Sequence, residues 1–217
     1  MAKTSAANGP AAIDKARRKI GAAALELLND RPLAALDLGE IGVAAKVDEG
    51  LAQRLFAHPA AAVEKGIVDL DESVMLSLAD DFADDPEASH HDKILEGLIA
   101  RYEAWRPYRK AIDHLNKASL RDPVLGAMLV MRLNQASERL LTIAGVDLTG
   151  INGMLRIKGL SGIALSCQRE WMRDDSPDMA TTIRSLDQRL RQAEELASTL
   201  RIITPQSEGY TEDDRQF

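Results

Sequence analysis

Apolar residues along this chain recur at three- and four-residue spacing, not in alternation, which is the period of helices that bury one face. The first such stretch covers residues 11–28, with Ile13, Ile20, Ala24, Leu27 and Leu28 in its stripe, and Asn29-Asp30-Arg31-Pro32 stops it. A short period follows at Ile41, Ala44 and Ala45, breaks at Lys46-Val47-Asp48 and resumes from Leu51 to Leu55. Two short helices joined by so tight a turn predict a helix-turn-helix. Asp37 is placed to cap the first of them, with Glu40 completing a capping-box pattern. Pro59 then opens a fourth helix carrying Val63, Ile67, Leu70, Val74 and Leu78 on one side, which fades into an acidic loop at residues 80–86.

The period returns at Ile94, Leu95, Leu98, Ile99 and Tyr102 and ends near Trp105-Arg106-Pro107, with a short helix at residues 108–115 behind it. Asp122-Pro123 opens a long helix with Leu125, Met128, Leu129, Met131, Leu133, Leu140 and Leu141 inside, and Gly145 ends it. Two more long helices are expected over residues 151–172 and 177–200, the second capped by Ser176 with Pro177 at its first position. No strand pattern or internal repeat competes with this reading. The expectation is an all-α chain of about nine helices. Its division is a flexible tail at 1–10, a helix-turn-helix domain at 11–60, a helical ligand-binding and dimerisation domain at 61–202, and a disordered acidic tail at 203–217.

Composition changes this picture only at the margins. Of 217 residues, 45% are hydrophobic and 28% charged, an ordinary globular balance. No apolar run approaches the roughly 20 residues of a membrane span. The first residues lack the hydrophobic core of a signal peptide, so a cytoplasmic protein is expected. The single cysteine, Cys167, excludes an intrachain disulfide and fits a reducing compartment. The net charge of −7 argues against a general nucleic-acid coat but not against a local basic patch. Lys15, Arg17, Arg18 and Lys19 cluster early, while Glu208, Glu212, Asp213 and Asp214 gather at the end.

From Arg17 to about Leu70 the chain resembles the DNA-binding domain of the tetracycline-repressor (TetR) family. Arg18-Lys19-Ile20-Gly21-Ala22-Ala23 looks like that family's opening helix, and Glu40-Ile41 with Ala45-Lys46-Val47 like its second helix and turn. Asp48-Glu49-Gly50-Leu51 is similar to the start of its recognition helix, and Phe56 to the aromatic that closes it. The resemblance implies a homodimer on a palindromic operator, with Arg17, Arg18, Lys19, Lys46, Gln53 and Arg54 at the DNA. Departures from the family pattern fall at the reading surface. Gln53 and Arg54 stand where tyrosines are usual, Pro59 where a lysine is, and Lys46 replaces the turn glycine. Asp48 and Glu49 suit the helix dipole yet would repel a phosphate backbone.

A second stretch, residues 171–196, resembles the lipid-binding accessory proteins of ubiquinone biosynthesis, which have TetR-like architecture without DNA binding. Trp171, Asp175, Ser176, Asp178, Thr182, Leu186, Asp187, Arg189 and Leu190 carry that likeness, about one helix and its cap. It implies an alternative: a lipid- or quinone-related binding protein on the same scaffold.

A TetR-like chain would keep a small apolar or amphipathic ligand among its C-terminal helices. Tyr102, Trp105, Met128, Leu129 and Met131 are the candidate lining. Gly159, Gly162, Ile163, Ser166, Ile183, Leu186 and Leu190 are the candidate dimer interface, since small residues on the helix at 151–172 permit close approach. No catalytic constellation is apparent. His90 and His91 are adjacent and so point apart on a helix, and Cys167 sits among apolar residues. Neither an enzyme nor a cofactor or metal is expected.

Overall fold

A computed structural model describes residues 9–199, and every regular element in it is helical. Nine α-helices follow in chain order among these residues: α1 (Pro10–Asp30), α2 (Leu38–Ala44), α3 (Glu49–Leu55), α4 (Pro59–Asp84), α5 (His90–Trp105), α6 (Arg109–Ser119), α7 (Pro123–Ile143), α8 (Gly150–Trp171) and α9 (Ala180–Thr199). Single 3-10 turns at Leu33–Ala35 and Arg106–Tyr108 join α1 to α2 and α5 to α6. The expected tail at 1–10 is described only from residue 9, and Pro10 already belongs to α1; the expected tail at 203–217 lies outside the described residues.

Short polar side chains start most of these helices by accepting the orphan N–H groups of the first turn. Asp37 accepts from Gly39 and Glu40, Asp48 from Leu51, His58 Nδ1 from Ala61, Ser89 from Asp92, and Asp122 from Val124 and Leu125. The Glu40 carboxylate forms an ion pair with Arg31 at 2.8 Å, bracing α2 against the end of α1. Both α2 and α7 stop in the same way. The N–H groups of Lys46 and Val47 donate to Val43 and Gly42, and those of Gly145 and Val146 to Thr142 and Leu141. This closure puts one residue in the left-handed region. Gly145 takes it at φ 81°, and Lys46 takes it at φ 55° with a side chain attached.

Two expected boundaries move. The segment 80–84 is the last turn of α4 and not a loop, because Phe82 is buried there and holds the helix to the core. The final helix begins at Ala180, three residues later than the Pro177 start suggested by its proline. The buried carboxylate of Asp174 explains the delay. It accepts from the Ser176 N–H and hydroxyl at 3.2 and 2.5 Å, and from the Thr182 N–H and hydroxyl at 2.8 Å each. Residues 174–179 are thereby wound into a turn, with Met179 buried at φ 50°. Ser176 keeps a capping role, accepting from the N–H of Ala180 at 3.2 Å.

One buried cluster runs from Ile20, Ala24 and Leu28 on α1 through Val63, Ile67 and Met75 on α4 to Leu140, Leu160, Trp171 and Leu186. Backbone meets backbone where α1 crosses α4. Gly21 and Gly66 meet there, and a Cβ on Gly21 would lie 2.8 Å from the Gly66 nitrogen. The far end of α1 is fastened to α6. Asn29 donates to the Pro107 carbonyl and accepts from the Ala111 N–H, and His114 Nδ1 lies 2.7 Å from the Leu28 carbonyl. The helix-turn-helix is thus held by the same two helices, α1 and α4, that reach into the rest of the chain.

Candidate nucleic-acid interface and cavity

In the helix-turn-helix, α3 is anchored by Ala52 and by Phe56 at its end, both buried. The opposite face presents Gln53 and Arg54 to solvent, and Lys46 is exposed in the turn before it. Arg17 of α1 reaches the same place, its guanidinium 5.6 Å from the centre of the Phe56 ring. Cation and ring attract at that distance, so α1 contributes a fixed positive charge beside α3. Arg18 and Lys19 are also exposed, and Arg18 pairs with Asp14 on its own helix at 2.8 Å. The acid that leads α3 is not a bystander. Asp48 caps the helix and lies 3.9 Å from the Arg54 guanidinium, which folds back over Gly50. One of the cations expected at DNA is therefore partly neutralised by its own helix.

A cavity of about 120 Å³ lies among α4 to α8. Tyr102, Trp105 and Leu129 of the candidate lining border it, with Ile67, Leu115, Leu133 and Gln168 beside them. Met128 and Met131 do not: Met131 lies on the exposed side of α7, rotated away from Leu129 and Leu133. The Tyr102 hydroxyl donates to the Ala164 carbonyl, and burial pushes its pKa upward, so the phenol stays neutral. Sequence patterning missed two cations on this wall, Arg101 and Arg132. Arg101 grips buried Asp71 through Nε at 2.9 Å and through its terminal nitrogen at 3.1 Å, and the Trp105 indole donates to the same carboxylate at 2.8 Å. Arg132 pairs with Glu64. Both carboxylates belong to α4. Beyond this ion-paired wall a wider depression of about 660 Å³ runs between α4 and α7, sharing Ile67 and Arg132 with the cavity.

On α8, Gly159 and Gly162 are exposed, and a Cβ on either would meet nothing within 4 Å. Ser166 is exposed as well. Around them stand Ile151, Met154, Leu155 and Leu165, all exposed and all on the same helical stripe. Ile151, Met154 and Leu155 were not assigned to this face from sequence, although their three- and four-residue spacing carried the signal. Ile163 and Ile183 are half-buried. Leu186 and Leu190 are a correction: they are 0% and 5% exposed inside their own subunit and leave no surface for a second copy.

Several residues of the ubiquinone-accessory likeness are engaged within the chain. Trp171 is buried, 5.1 Å from the Tyr102 ring and 5.0 Å from the Arg109 guanidinium. Asp187 and Glu194 both hold His91, at 3.0 Å from its two ring nitrogens, so this histidine has the partners that its neighbourhood in sequence lacks. Among the described residues no group of three histidine, cysteine or acidic side chains could hold a metal ion. No helix among them is long and apolar enough to cross a membrane.

The all-α architecture, with a helix-turn-helix at its head and a cavity behind, is the TetR-like fold. Two solved structures share it. One is a TetR transcriptional regulator from Nitrosomonas europaea ATCC 19718, which is 21% identical with a TM-score of 0.66 and covers 82% of this chain and 98% of its own. The other is a TetR-family transcriptional regulator from Streptomyces coelicolor, 15% identical with a TM-score of 0.58, covering 87% of each chain. No family model and no curated protein matches the sequence.

Proposed function

We propose that the protein is a TetR-like transcriptional regulator that binds operator DNA as a homodimer and is controlled by a small amphipathic ligand. The observation that carries this reading is the continuity of α4. Its early turns pack on α1 at Gly66, and Glu64 and Asp71 of the same helix hold the two arginines of the cavity wall from behind. A ligand that binds one arrangement of α4 more tightly than another changes the placement of the head, which is what allosteric control of DNA affinity requires. Lys46, Gln53 and Arg54 are the base- and phosphate-reading candidates, with Arg17, Arg18 and Lys19 gripping the backbone from the flank. The exposed apolar stripe of α8 suits an isologous contact with a second copy. Two reading helices related in that way match half-sites about 34 Å apart. No enzymatic role is proposed.

A second reading is favoured by the Asp48–Arg54 pair. It is a lipid- or quinone-related binding protein on this scaffold, with no DNA contact. One titration separates the two. The purified chain is mixed with DNA from its own upstream region and with unrelated DNA across a salt series, with sedimentation run in parallel. A regulator shows specific binding by a dimer that weakens steeply with salt and collapses when Gln53 and Arg54 become alanine. Asp48→Asn should tighten it, since that change releases Arg54 and removes a repelling charge. Binding no stronger than to the control DNA, with and without cell extract, would refute the regulator. Lipid extracted from the same preparation would then support the second reading.

A further inference from the structure

We propose that the cavity receives a small amphipathic carboxylic acid, whose carboxylate takes Arg132 away from Glu64 of α4. This rests on the cavity being the regulatory ligand site. The lining is asymmetric in charge: two guanidiniums face it, and no acidic side chain does. The carboxylates that balance them approach from behind, out of α4. The two ion pairs differ in how firmly they are made. Asp71 is 7% exposed and accepts three hydrogen bonds from Arg101 and Trp105, so that pair is a fixed part of the wall. Arg132 instead uses two of its nitrogens on a single oxygen of Glu64, with Nε at 2.9 Å. Its side chain and that of Glu64 are 26% and 28% exposed. Gln135 takes the remaining terminal nitrogen at 2.6 Å.

A guanidinium is best satisfied by two parallel bonds to two carboxylate oxygens, which Glu64 does not offer here and an incoming acid can. Partial exposure lets Glu64 return to water when displaced, so the exchange strands no buried charge. The body of the acid has Leu115, Leu129, Leu133 and Leu165 to rest against, and Gln168 supplies an amide. A cavity of about 150 Å³ holds a benzene ring. The volume here, about 120 Å³, is somewhat smaller, so it suits a short chain or most of a single ring and not a polyprenyl tail. Freed Glu64 lies two residues from Gly66, where α4 is locked against α1. The anion is thus sensed at the joint that holds the DNA-reading head.

The test uses the full chain with benzoate and hexanoate as acids and benzamide as the uncharged match, by calorimetry and thermal shift at neutral pH. Both acids should bind saturably, with benzamide weaker by roughly tenfold or more. Arg132→Gln should weaken the acids by about tenfold and leave benzamide little changed. Glu64→Gln removes the competitor and should tighten the acids by roughly threefold or more, an outcome that loss of packing does not produce. Leu129→Trp fills the cavity and should abolish binding of every probe. Benzamide binding as well as benzoate, with both lost in Leu129→Trp, would overturn the acid and leave the cavity standing. Acids that bind Glu64→Gln no better than the wild type would overturn the exchange. Probes that fail to bind at all, or that bind Leu129→Trp unchanged, would remove the cavity reading and this proposal with it.

Discussion

Replacing Gly66 by alanine tests whether the crossing of α1 over α4 is as tight as its geometry says. The added Cβ would lie 2.8 Å from Leu25 Cγ and 2.9 Å from the Gly21 carbonyl carbon, and closer still to that carbonyl's oxygen. Carbon atoms pack at about 3.5–4.0 Å, so the helices must part by something near 1 Å. Backbone forms half of this contact, and no rotamer change relieves it. Parting the helices also loosens Ile20, Ala24, Leu28 and Val63, each fully buried at this interface. Overpacking of this kind costs about 3 kcal/mol at the upper end of its usual range. Alanine's better helix propensity returns about 1 kcal/mol. The net loss is about 2 kcal/mol, or roughly 4–8 °C in melting temperature for a chain of this size. Gly126→Ala on α7 is the control, because its Cβ would meet nothing nearer than the Ser119 carbonyl oxygen at 3.6 Å, an ordinary contact. It should keep the propensity gain and stabilise the subunit by about 0.5–1 kcal/mol. Denaturant and thermal unfolding of both variants decide the matter, and Gly66→Ala melting at or above the wild-type temperature would refute the reasoning.

Three further outcomes are expected. Lys46→Gly relieves a left-handed lysine at the position where α7 uses Gly145, and should stabilise the fold by about 0.5–1 kcal/mol in chemical denaturation. The same substitution should weaken DNA binding, since it removes a candidate phosphate contact. His91 is pulled down by burial, but its hydrogen bonds to Asp187 and Glu194 and the charge of Glu194 outweigh that and raise its pKa above the ordinary 6.5. Its link from α5 to α9 is then fully stabilising below about pH 6.5 and is lost as pH rises through the raised value. Unfolding free energy measured from pH 5.5 to 9 should fall over that window in the wild type and flatten in His91→Gln. Asp174→Ala strands the N–H and hydroxyl of buried Thr182 and should cost about 2–3 kcal/mol by the same denaturation assay. The Ser176 hydroxyl and the Thr182 bonds outweigh burial, which acts upward, and hold the Asp174 carboxyl well below the usual carboxylate range. Its stabilisation therefore holds above about pH 4 and is lost only on stronger acidification.

What the sequence disclosed and what it hid divides by the distance over which each feature is decided. The helix-turn-helix was legible because Asp37, Asp48 and the turn at Lys46 act on residues no more than five positions away. The start of α9 was misplaced because Asp174 holds Thr182, eight residues on, and so overrides the local Ser176-Pro177 signal. The ion pairs that define the cavity wall join residues 30 and 68 apart, and those that hold His91 join residues 96 and 103 apart, so no window of periodicity could reveal them.

A different limit governed the two methionines and the leucines of α9. The seven apolar residues assigned to the inside of α7 span more than one helical face, so some had to point outward, and Met131 does. Leu186 and Leu190, four residues apart, fit a subunit core and a dimer seam equally well by spacing alone. Periodicity states which residues share a face, whereas the packing of other helices decides whether that face is covered. On α8 the outward face carries Ile151, Met154, Leu155 and Leu165 around Gly159 and Gly162, and no helix among the described residues covers it. Glycines alone permit an approach without rewarding it. Four exposed apolar side chains beside them supply the burial that makes association favourable. The proposed contact with a second copy therefore rests on the large residues of that stripe more than on the small ones.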